Sequence, residues 1–145
     1  MNILIIGDSC KDVFIYGEIT RLSPEAPVPV LNPLKEISND GMAKNVVNNV
    51  EALGINVYSV TNRNSIRKIR YVDKKSNQLV LRVDEHDYCD RISEKEMGGI
   101  NNNVYKVLGN TVHIDAIIIS DYCKGFLTED DIQYICENNK NVFVD

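Results

Sequence analysis

Polar and charged side chains follow two apolar runs of the sequence, at the points where each run ends. Asp8 and Asp12 come after the run NILIIG, and Asp121 and Lys124 come after the run AIII. Such runs are typical of strands buried on both faces of a parallel sheet, and ligands bind at the carboxyl ends of these strands. Carboxylates there suit sugar hydroxyls, because they accept charge-assisted hydrogen bonds. The pattern leaves a second interpretation open, in which Asp8 and Asp121 only cap turns.

Basic residues cluster on a predicted β-hairpin. Residues 66–84 alternate between apolar and polar on either side of a polar turn, which is the pattern of two antiparallel strands. Pairing Arg70 opposite Arg82 places Lys68 on the same face. Two facing arginines repel each other unless an anion lies between them, so this face is a candidate phosphate site. The alternative is a solvated face on which Asp84 neutralises Lys68.

Gly41 marks the start of a predicted helix. Residues 41–53 repeat apolar side chains at a helical period, and Gly54 is placed to end the helix. Backbone N–H groups in the first turn of such a helix are free to bind hydroxyl or phosphate oxygens. The sequence contains no G-x-x-x-x-G-K-S/T motif and no other glycine-rich loop that could hold a nucleotide. The residues by themselves therefore indicate sugar or phosphate binding, and they identify no catalytic residue.

The remaining segments predict an α/β order of elements. Pro24, Pro27 and Pro29 exclude a helix between residues 13 and 37 and favour edge strands outside the main sheet. The further predicted elements are a strand at 56–60, a helix that opens with a capping box of Ser93 and Glu96 and closes at Gly109, a strand at 116–119, a helix capped by Thr128, and a strand at 142–144.

Composition and charge limit the class of protein. The 145 residues are 43% hydrophobic and 26% charged, as in an ordinary folded domain, which excludes a wholly disordered, collagen-like or transmembrane chain. A formal net charge of -5 argues against nucleic acid and anionic membranes as partners. No export signal is recognisable, so the expected location is the cytoplasm. The four cysteines lack the spacing of a zinc site, and we expect reduced thiols and no metal site.

These residues resemble the start of the heptose 7-phosphate kinase domain of bifunctional ADP-heptose synthases, a branch of the ribokinase-like (PfkB) carbohydrate kinases that serves lipopolysaccharide precursor biosynthesis. The run SPEAPVPV is highly specific. The matching positions are Gly7-Asp8 and Asp12, Tyr16-Gly17, the run from Thr20 to Val30, Gly41, Asn45 and Asn49, Ala52-Leu53-Gly54, Lys68, Arg70, Gln78, Leu79, Arg82, Asp84, Ser120-Asp121-Tyr122, Lys124-Gly125 and Val144-Asp145. The resemblance covers nearly the whole chain but only the amino-terminal half of the family's domain.

The resemblance implies a fold and a set of binding residues. The fold class would be α/β, a partial ribokinase-like three-layer fold with a small β-sheet lid, formed by one domain at 1–145 with lid insertions at about 13–37 and 66–84. By position, Asp12 would bind sugar hydroxyls, and Gly41 and Asn45 would line the sugar site. The residues that would bind the substrate's phosphate are Lys68, Arg70 and Arg82. Asp121 and Lys124 match a strand-end motif beside the active site.

The resemblance also implies a reaction that the chain is not expected to perform alone. The family transfers the γ-phosphoryl group of ATP, with Mg²⁺, to the anomeric hydroxyl of the sugar phosphate. Its G-A-G-D motif and ATP pocket belong to the half that is not represented in this sequence, so the ATP site is expected to be absent. We therefore expect a sugar-phosphate-binding and lid part, in a homodimer formed through the lid or with a complementary carboxyl-terminal chain.

Departures from the family pattern support a second hypothesis, a non-catalytic sugar-phosphate-binding or dimerisation module. Relatives carry two glycines and two alanines where this chain has Gly41-Met42-Ala43-Lys44, and a Met side chain is expected to crowd the sugar. The segment between Val60 and Ile66 is shorter than in relatives, which have a glycine-aspartate segment and a helix there. A third reading, a Rossmann-like nucleotide binder, fails because no G-x-G-x-x-G follows the first strand.

Overall fold

The computed structural model describes all residues from Met1 to Asp145. In chain order the elements are β1 (Asn2–Gly7), β2 (Ser9–Leu22), β3 (Pro29–Met42), α1 (Ala43–Ala52), β4 (Asn56–Thr61), β5 (Ile66–Asp73), β6 (Gln78–Glu85), α2 (Glu94–Met97), β7 (Ile100–Asn101), β8 (Val104–Val107), β9 (Asn110–His113), β10 (Ala116–Ser120), α3 (Glu129–Asn138) and β11 (Val142–Val144).

A four-stranded parallel sheet in the order β11-β10-β1-β4 forms the centre of the fold. Its middle strand β1 is buried on both faces, and Leu4, Ile5 and Ile6 have no exposed surface. On one face Ile5 packs with Ala43 of α1. On the other face Leu4 and Ile6 join the larger core, which includes Ile135 of α3. The α/β fold class expected from the sequence is therefore confirmed.

A second four-stranded sheet, in the order β3-β2-β5-β6, projects from the carboxyl ends of the central strands. Strands β2 and β3 have 14 residues each, longer than the short pieces predicted between residues 13 and 37. Pro29 begins β3, and Pro33 lies opposite Gly17 beside a register shift. The edge-strand prediction is confirmed for β3, where an edge strand can lack ladder hydrogen bonds without leaving a neighbour unpaired. It is wrong for β2, which pairs with β3 on one side and β5 on the other. We call this second sheet the polar-faced sheet.

The helix predicted from Ser93 to Gly109 is wrong in extent. The capping box of Ser93 and Glu96 is present, but α2 ends after four residues, and residues 100–113 form a three-stranded antiparallel sheet. Two consecutive glycines end the helix, and the backbone of Asn102 and Asn103 turns back with φ values of 52° and 57°. Glycine lowers helix propensity, and asparagine tolerates this left-handed conformation in a tight turn.

The other helices follow the predicted pattern. Helix α1 ends where Gly54 adopts a φ of 76° and its N–H group bonds to the carbonyl of Glu51. Helix α3 begins with a complete capping box of Thr128 and Asp131. Each of these helices has ten residues, and no helix of the chain has the length and hydrophobicity required to span a membrane.

Candidate functional site

Asp8 is a buried carboxylate at the carboxyl end of β1. Its Oδ2 atom accepts hydrogen bonds from the backbone N–H groups of Tyr122 (2.8 Å) and Lys124 (3.1 Å), and its Oδ1 atom accepts one from Phe126 (3.3 Å). The side chain has no exposed surface. All of these donors belong to the loop that follows β10, so Asp8 fixes that loop to β1. Of the two interpretations that the sequence left open, the one in which Asp8 caps a turn is therefore correct for this residue.

Two acidic groups and a thiol meet at this end of the central sheet. The Cys89 thiol lies 3.4 Å from Oδ1 of Asp8, and burial together with this neighbour raises the pKa of Cys89 to about 12. Burial and the nearby Asp8 carboxylate also raise the pKa of Asp121. Asp121 accepts a hydrogen bond from the backbone N–H of Cys123 at 3.3 Å. Asp121 therefore lies next to Asp8 at the carboxyl end of β10 and is also engaged in its own turn.

Charged side chains of the polar-faced sheet lie in two adjacent rows on one face. The strand register places Asp12, Lys68 and Asp84 side by side, and Phe14, Arg70 and Arg82 side by side. Asp12 of the first row pairs with Arg70 of the second, with 2.5 Å between Oδ1 and the guanidinium. The guanidinium of Arg70 also lies 5.2 Å from the centre of the Phe14 ring.

The predicted pairing of Arg70 opposite Arg82 is observed, but the two arginines need no external anion between them. Arg70 is neutralised by Asp12, and Arg82 makes two hydrogen bonds of 2.7 Å to Asp84. These bonds hold the pKa of Asp84 below its usual range. The alternative pairing of Asp84 with Lys68 is wrong, because Arg82 lies two residues away on the same strand face and reaches Asp84 with two donors.

Lys68 forms no ion pair and connects the polar-faced sheet to the loop after β10. Its Nζ atom lies 5.7 Å from the centre of the Tyr122 ring, within cation–π range. A second connection is the ion pair between Lys124 of that loop and Asp87, with 2.7 Å between the charged atoms. The contact of Lys68 with Tyr122 brings the charged rows next to the loop at the carboxyl end of β10. We call the region between them the crevice and define it by Asp12, Lys68, Arg70, Arg82, Asp121, Tyr122 and Lys124.

Gly41 lies against a crevice residue, whereas Asn45 does not. Gly41 lies against the Asp12 side chain, because a Cβ atom on Gly41 would be 2.2 Å from Oδ2 of Asp12 and 2.6 Å from the Cys10 sulfur. Asn45 is exposed in the first turn of α1 and makes no hydrogen bond to a crevice residue. Met42 packs in the larger core with only 6% of its surface exposed, so its side chain points away from solvent.

The sequence pattern predicts no role for Tyr122 or Asp87. Tyr122 belongs to the segment Ser120-Asp121-Tyr122 that matches the family, and Asp87 lies in an irregular segment without periodicity. The Arg82–Asp84 pair had a detectable signal, because residues two apart on a strand share a face. No group of three or more His, Cys, Asp or Glu side chains in the chain could hold a metal ion.

Sequence comparison finds relatives along nearly the whole chain. The bifunctional protein HldE of Aliarcobacter butzleri (strain RM4018) is 36% identical over 177 residues, covering 99% of this chain and 36% of the relative. The HldE protein of Nitrobacter winogradskyi is 30% identical, with the same coverage of both chains. The chain thus spans about a third of the length of the curated relatives that it matches. No family model matches the chain.

The aligned region of these relatives is longer than this chain, since it extends over 177 residues and the chain has 145. The relatives therefore hold residues without a counterpart here. In this chain the connection between β4 and β5 has only four residues.

Structural comparison identifies the fold. Phosphofructokinase-2 from Escherichia coli in complex with fructose-6-phosphate aligns with 99% of this chain and 54% of its own, with a TM-score of 0.55 and 9% identity. The same enzyme in complex with potassium aligns with a TM-score of 0.54 and 9% identity, over 99% of this chain and 52% of its own. The chain therefore aligns with about half of the length of these phosphofructokinase-2 structures.

Proposed function

Because this chain is a homologue of the bifunctional HldE proteins over nearly its whole length and has a ribokinase-like carbohydrate kinase fold, we propose that it is the sugar-phosphate-binding part of such a kinase. The substrate class is heptose 7-phosphate or a related sugar phosphate. The observation that carries the proposal is the crevice, in which the charged rows of the polar-faced sheet meet the carboxyl end of β10.

In this proposal each crevice residue has a chemical role. Asp12 accepts hydrogen bonds from sugar hydroxyls. Because Gly41 has no side chain, the Asp12 carboxylate can lie close to the backbone of Gly41. Lys68 attracts the phosphate, because it is the crevice cation without a carboxylate partner. Arg70 and Arg82 contribute donors, and an incoming phosphate competes with Asp12 and Asp84 for them. The polar-faced sheet acts as the lid over the sugar.

ATP and Mg²⁺ are assigned to residues outside this chain. Asp12 of the crevice and the neighbouring Asp84 are paired with arginines, and Asp8 accepts three backbone N–H groups, which disfavours these three carboxylates as Mg²⁺ ligands. No group of three or more His, Cys, Asp or Glu side chains, Asp121 included, could hold a metal ion. The sequence has no G-A-G-D motif and no glycine-rich loop for the nucleotide. The residues present therefore do not fit the ATP–Mg²⁺ group, and we assign no step of phosphoryl transfer to this chain alone.

We expect no ATP turnover by the purified 145-residue chain, with or without heptose 7-phosphate. The reason is that positioning and electrostatic stabilisation of the phosphoryl group, which dominate catalysis of this reaction, need groups that the crevice does not supply. A coupled assay for ADP release measures this. Turnover at about 1–100 s⁻¹, the usual range for kinases, would contradict the assignment of catalysis to residues outside the chain.

Substituting Lys68→Ala is expected to weaken heptose 7-phosphate binding about tenfold, because one charge-assisted hydrogen bond contributes about 1.5–3 kcal/mol. The free energy of unfolding should change little, since Lys68 leaves no carboxylate unpaired. Binding is followed by amide NMR shifts at Asp12, Asn45 and Arg70. The matched control is Arg67→Ala, because Arg67 lies on the opposite face of the same strand and pairs with Glu85. An equal effect of both substitutions would argue against a site in the crevice.

A second candidate function is a non-catalytic dimerisation module. Several apolar side chains on or beside the polar-faced sheet are more than half exposed. Two of them, Val28 and Leu81, line a groove of about 510 Å³ whose lining is mainly apolar. The exposed residues are Leu22, Val28, Leu34, Leu79 and Leu81. A second copy of the chain would cover this apolar surface. This function would be favoured over sugar binding if heptose 7-phosphate caused no amide NMR shifts at Asp12, Asn45 and Arg70 and the chain formed a dimer in sedimentation analysis.

A further inference from the structure

A small cavity lies beside the short connection between β4 and β5 and is separate from the crevice. It has a volume of about 80 Å³, enough for a small anion. Its lining residues are Ser9, Cys10, Lys11, Lys44, Asn62, Arg63, Asn64, Ser65 and Ile66. None of the crevice residues is among them. We call this cavity the basic pocket.

The lining of the basic pocket has an unusual charge for this protein. Three lining residues are cations, Lys11 of β2, Lys44 of α1 and Arg63 of the β4–β5 connection, and none of the nine is acidic, although the whole chain has a net charge of -5. Lys11 pairs with Asp40 at 2.6 Å, and Arg63 has only a long contact of 3.4 Å with Glu96. Lys44 makes no ion pair. The local charge therefore remains positive after the neighbouring carboxylates are counted.

The wall of the basic pocket is fixed in position. Asn62 is buried, and its Oδ1 atom accepts hydrogen bonds from the backbone N–H (2.6 Å) and the hydroxyl (2.9 Å) of Ser9. The Asn62 amide group donates to the carbonyls of Ser9 and Asn64 at 3.1 Å and 2.7 Å. The three bonds to Ser9 hold the connection to the start of β2, and the bond to Asn64 fixes the connection internally. A preorganised site loses less entropy when a ligand binds.

Two neighbouring parts of the chain complete the basic pocket. The four-residue connection between β4 and β5 forms one wall through residues 62–65. Lys44 of α1 adds a cation to the lining. Neither part contributes a residue to the crevice.

We propose that the basic pocket binds one phosphate-type oxyanion, independently of the crevice. Lysine ammonium, guanidinium and serine hydroxyl groups are the donors that such an anion requires, and the lining holds all three kinds. The anion has no carboxylate to displace at Lys44. This proposal does not depend on the proposed kinase-related function.

The test is an amide NMR titration of the full chain with inorganic phosphate, at constant ionic strength maintained with KCl. We expect saturable shifts at Lys44 and Ser65 that are reproduced by sulfate. Lys44→Ala should raise the dissociation constant about fivefold, since an exposed cation contributes up to about 1 kcal/mol. The matched controls are Lys106→Ala, an exposed lysine elsewhere, and Lys68→Ala in the crevice, both of which should leave these shifts unchanged.

Three outcomes would overturn the proposal. The first is an absence of saturable shifts at Lys44 and Ser65, and the second is an affinity that Lys44→Ala leaves unchanged. The third is a set of shifts confined to Asp12, Lys68 and Arg70, which would assign the anion to the crevice. A parallel titration with heptose 7-phosphate distinguishes a free anion from the phosphate group of a sugar. Shifts at Lys44 that appear only with the sugar phosphate would also contradict an independent site.

Discussion

Replacing Asp8 with alanine is expected to lower the free energy of unfolding by about 3 kcal/mol or more. The substitution leaves the backbone N–H groups of Tyr122, Lys124 and Phe126 without their acceptor, and it opens a space where the carboxylate is fully buried. Each buried donor left without a partner costs about 1–3 kcal/mol. The loop after β10 should also lose its fixed position.

Urea denaturation followed by circular dichroism measures this loss. The matched control is Asp115→Ala, because Asp115 also links two central strands and accepts a backbone hydrogen bond, from Asn2 at 2.7 Å, but lies exposed at the opposite end of the sheet. That control should cost about 1 kcal/mol or less, since water can replace the lost acceptor. Equal losses for the two variants would show that Asp8 is not the main link between β1 and the loop.

Replacing Gly41 with alanine is expected to cost about 2 kcal/mol in stability and to weaken sugar-phosphate binding about tenfold. A Cβ atom at this position would lie 2.2 Å from Oδ2 of Asp12 and 2.6 Å from the Cys10 sulfur. Neither neighbour can stay in place at these distances, so the Asp12 carboxylate must move and its pair with Arg70 must change. Stability and sugar binding are therefore affected by the same overlap.

Denaturation and the heptose 7-phosphate titration together test this prediction. Gly98→Ala is the control, because Gly98 has a helical conformation and its added Cβ would meet only the Glu94 carbonyl oxygen, at 3.1 Å. It should affect neither quantity by a comparable amount. A Gly41→Ala variant that binds the sugar phosphate as tightly as the unsubstituted chain would remove Asp12 from the proposed sugar site.

The central sheet could be predicted from the sequence because its strands are continuous apolar runs. The runs NILIIG and AIII are apolar at successive positions, which predicts strands that are buried on both faces of a parallel sheet. The hairpin of β5 and β6 was predictable in register, since alternation fixes which side chains share a face. The second helix was not predictable in extent, because its apolar residues Met97, Ile100 and Val104 fit a helical period while Gly98 and Gly99 end the helix.

The sequence by itself determined the central strands, the hairpin register and the presence of polar groups at strand ends, because these depend on local periodicity and on residue type. Only the tertiary structure decided which charges pair. Asp12 and Arg70 are 58 residues apart, and Asp8 and Phe126 are 118 residues apart, and chain folding brings each pair together. Ionic and hydrogen-bond partners are chosen by distance in space, which local sequence patterns do not encode. For that reason the α/β fold class could be predicted from the sequence pattern. Only the structure showed that Asp8 caps the loop after β10 and that Lys68 is the crevice cation without an ion pair.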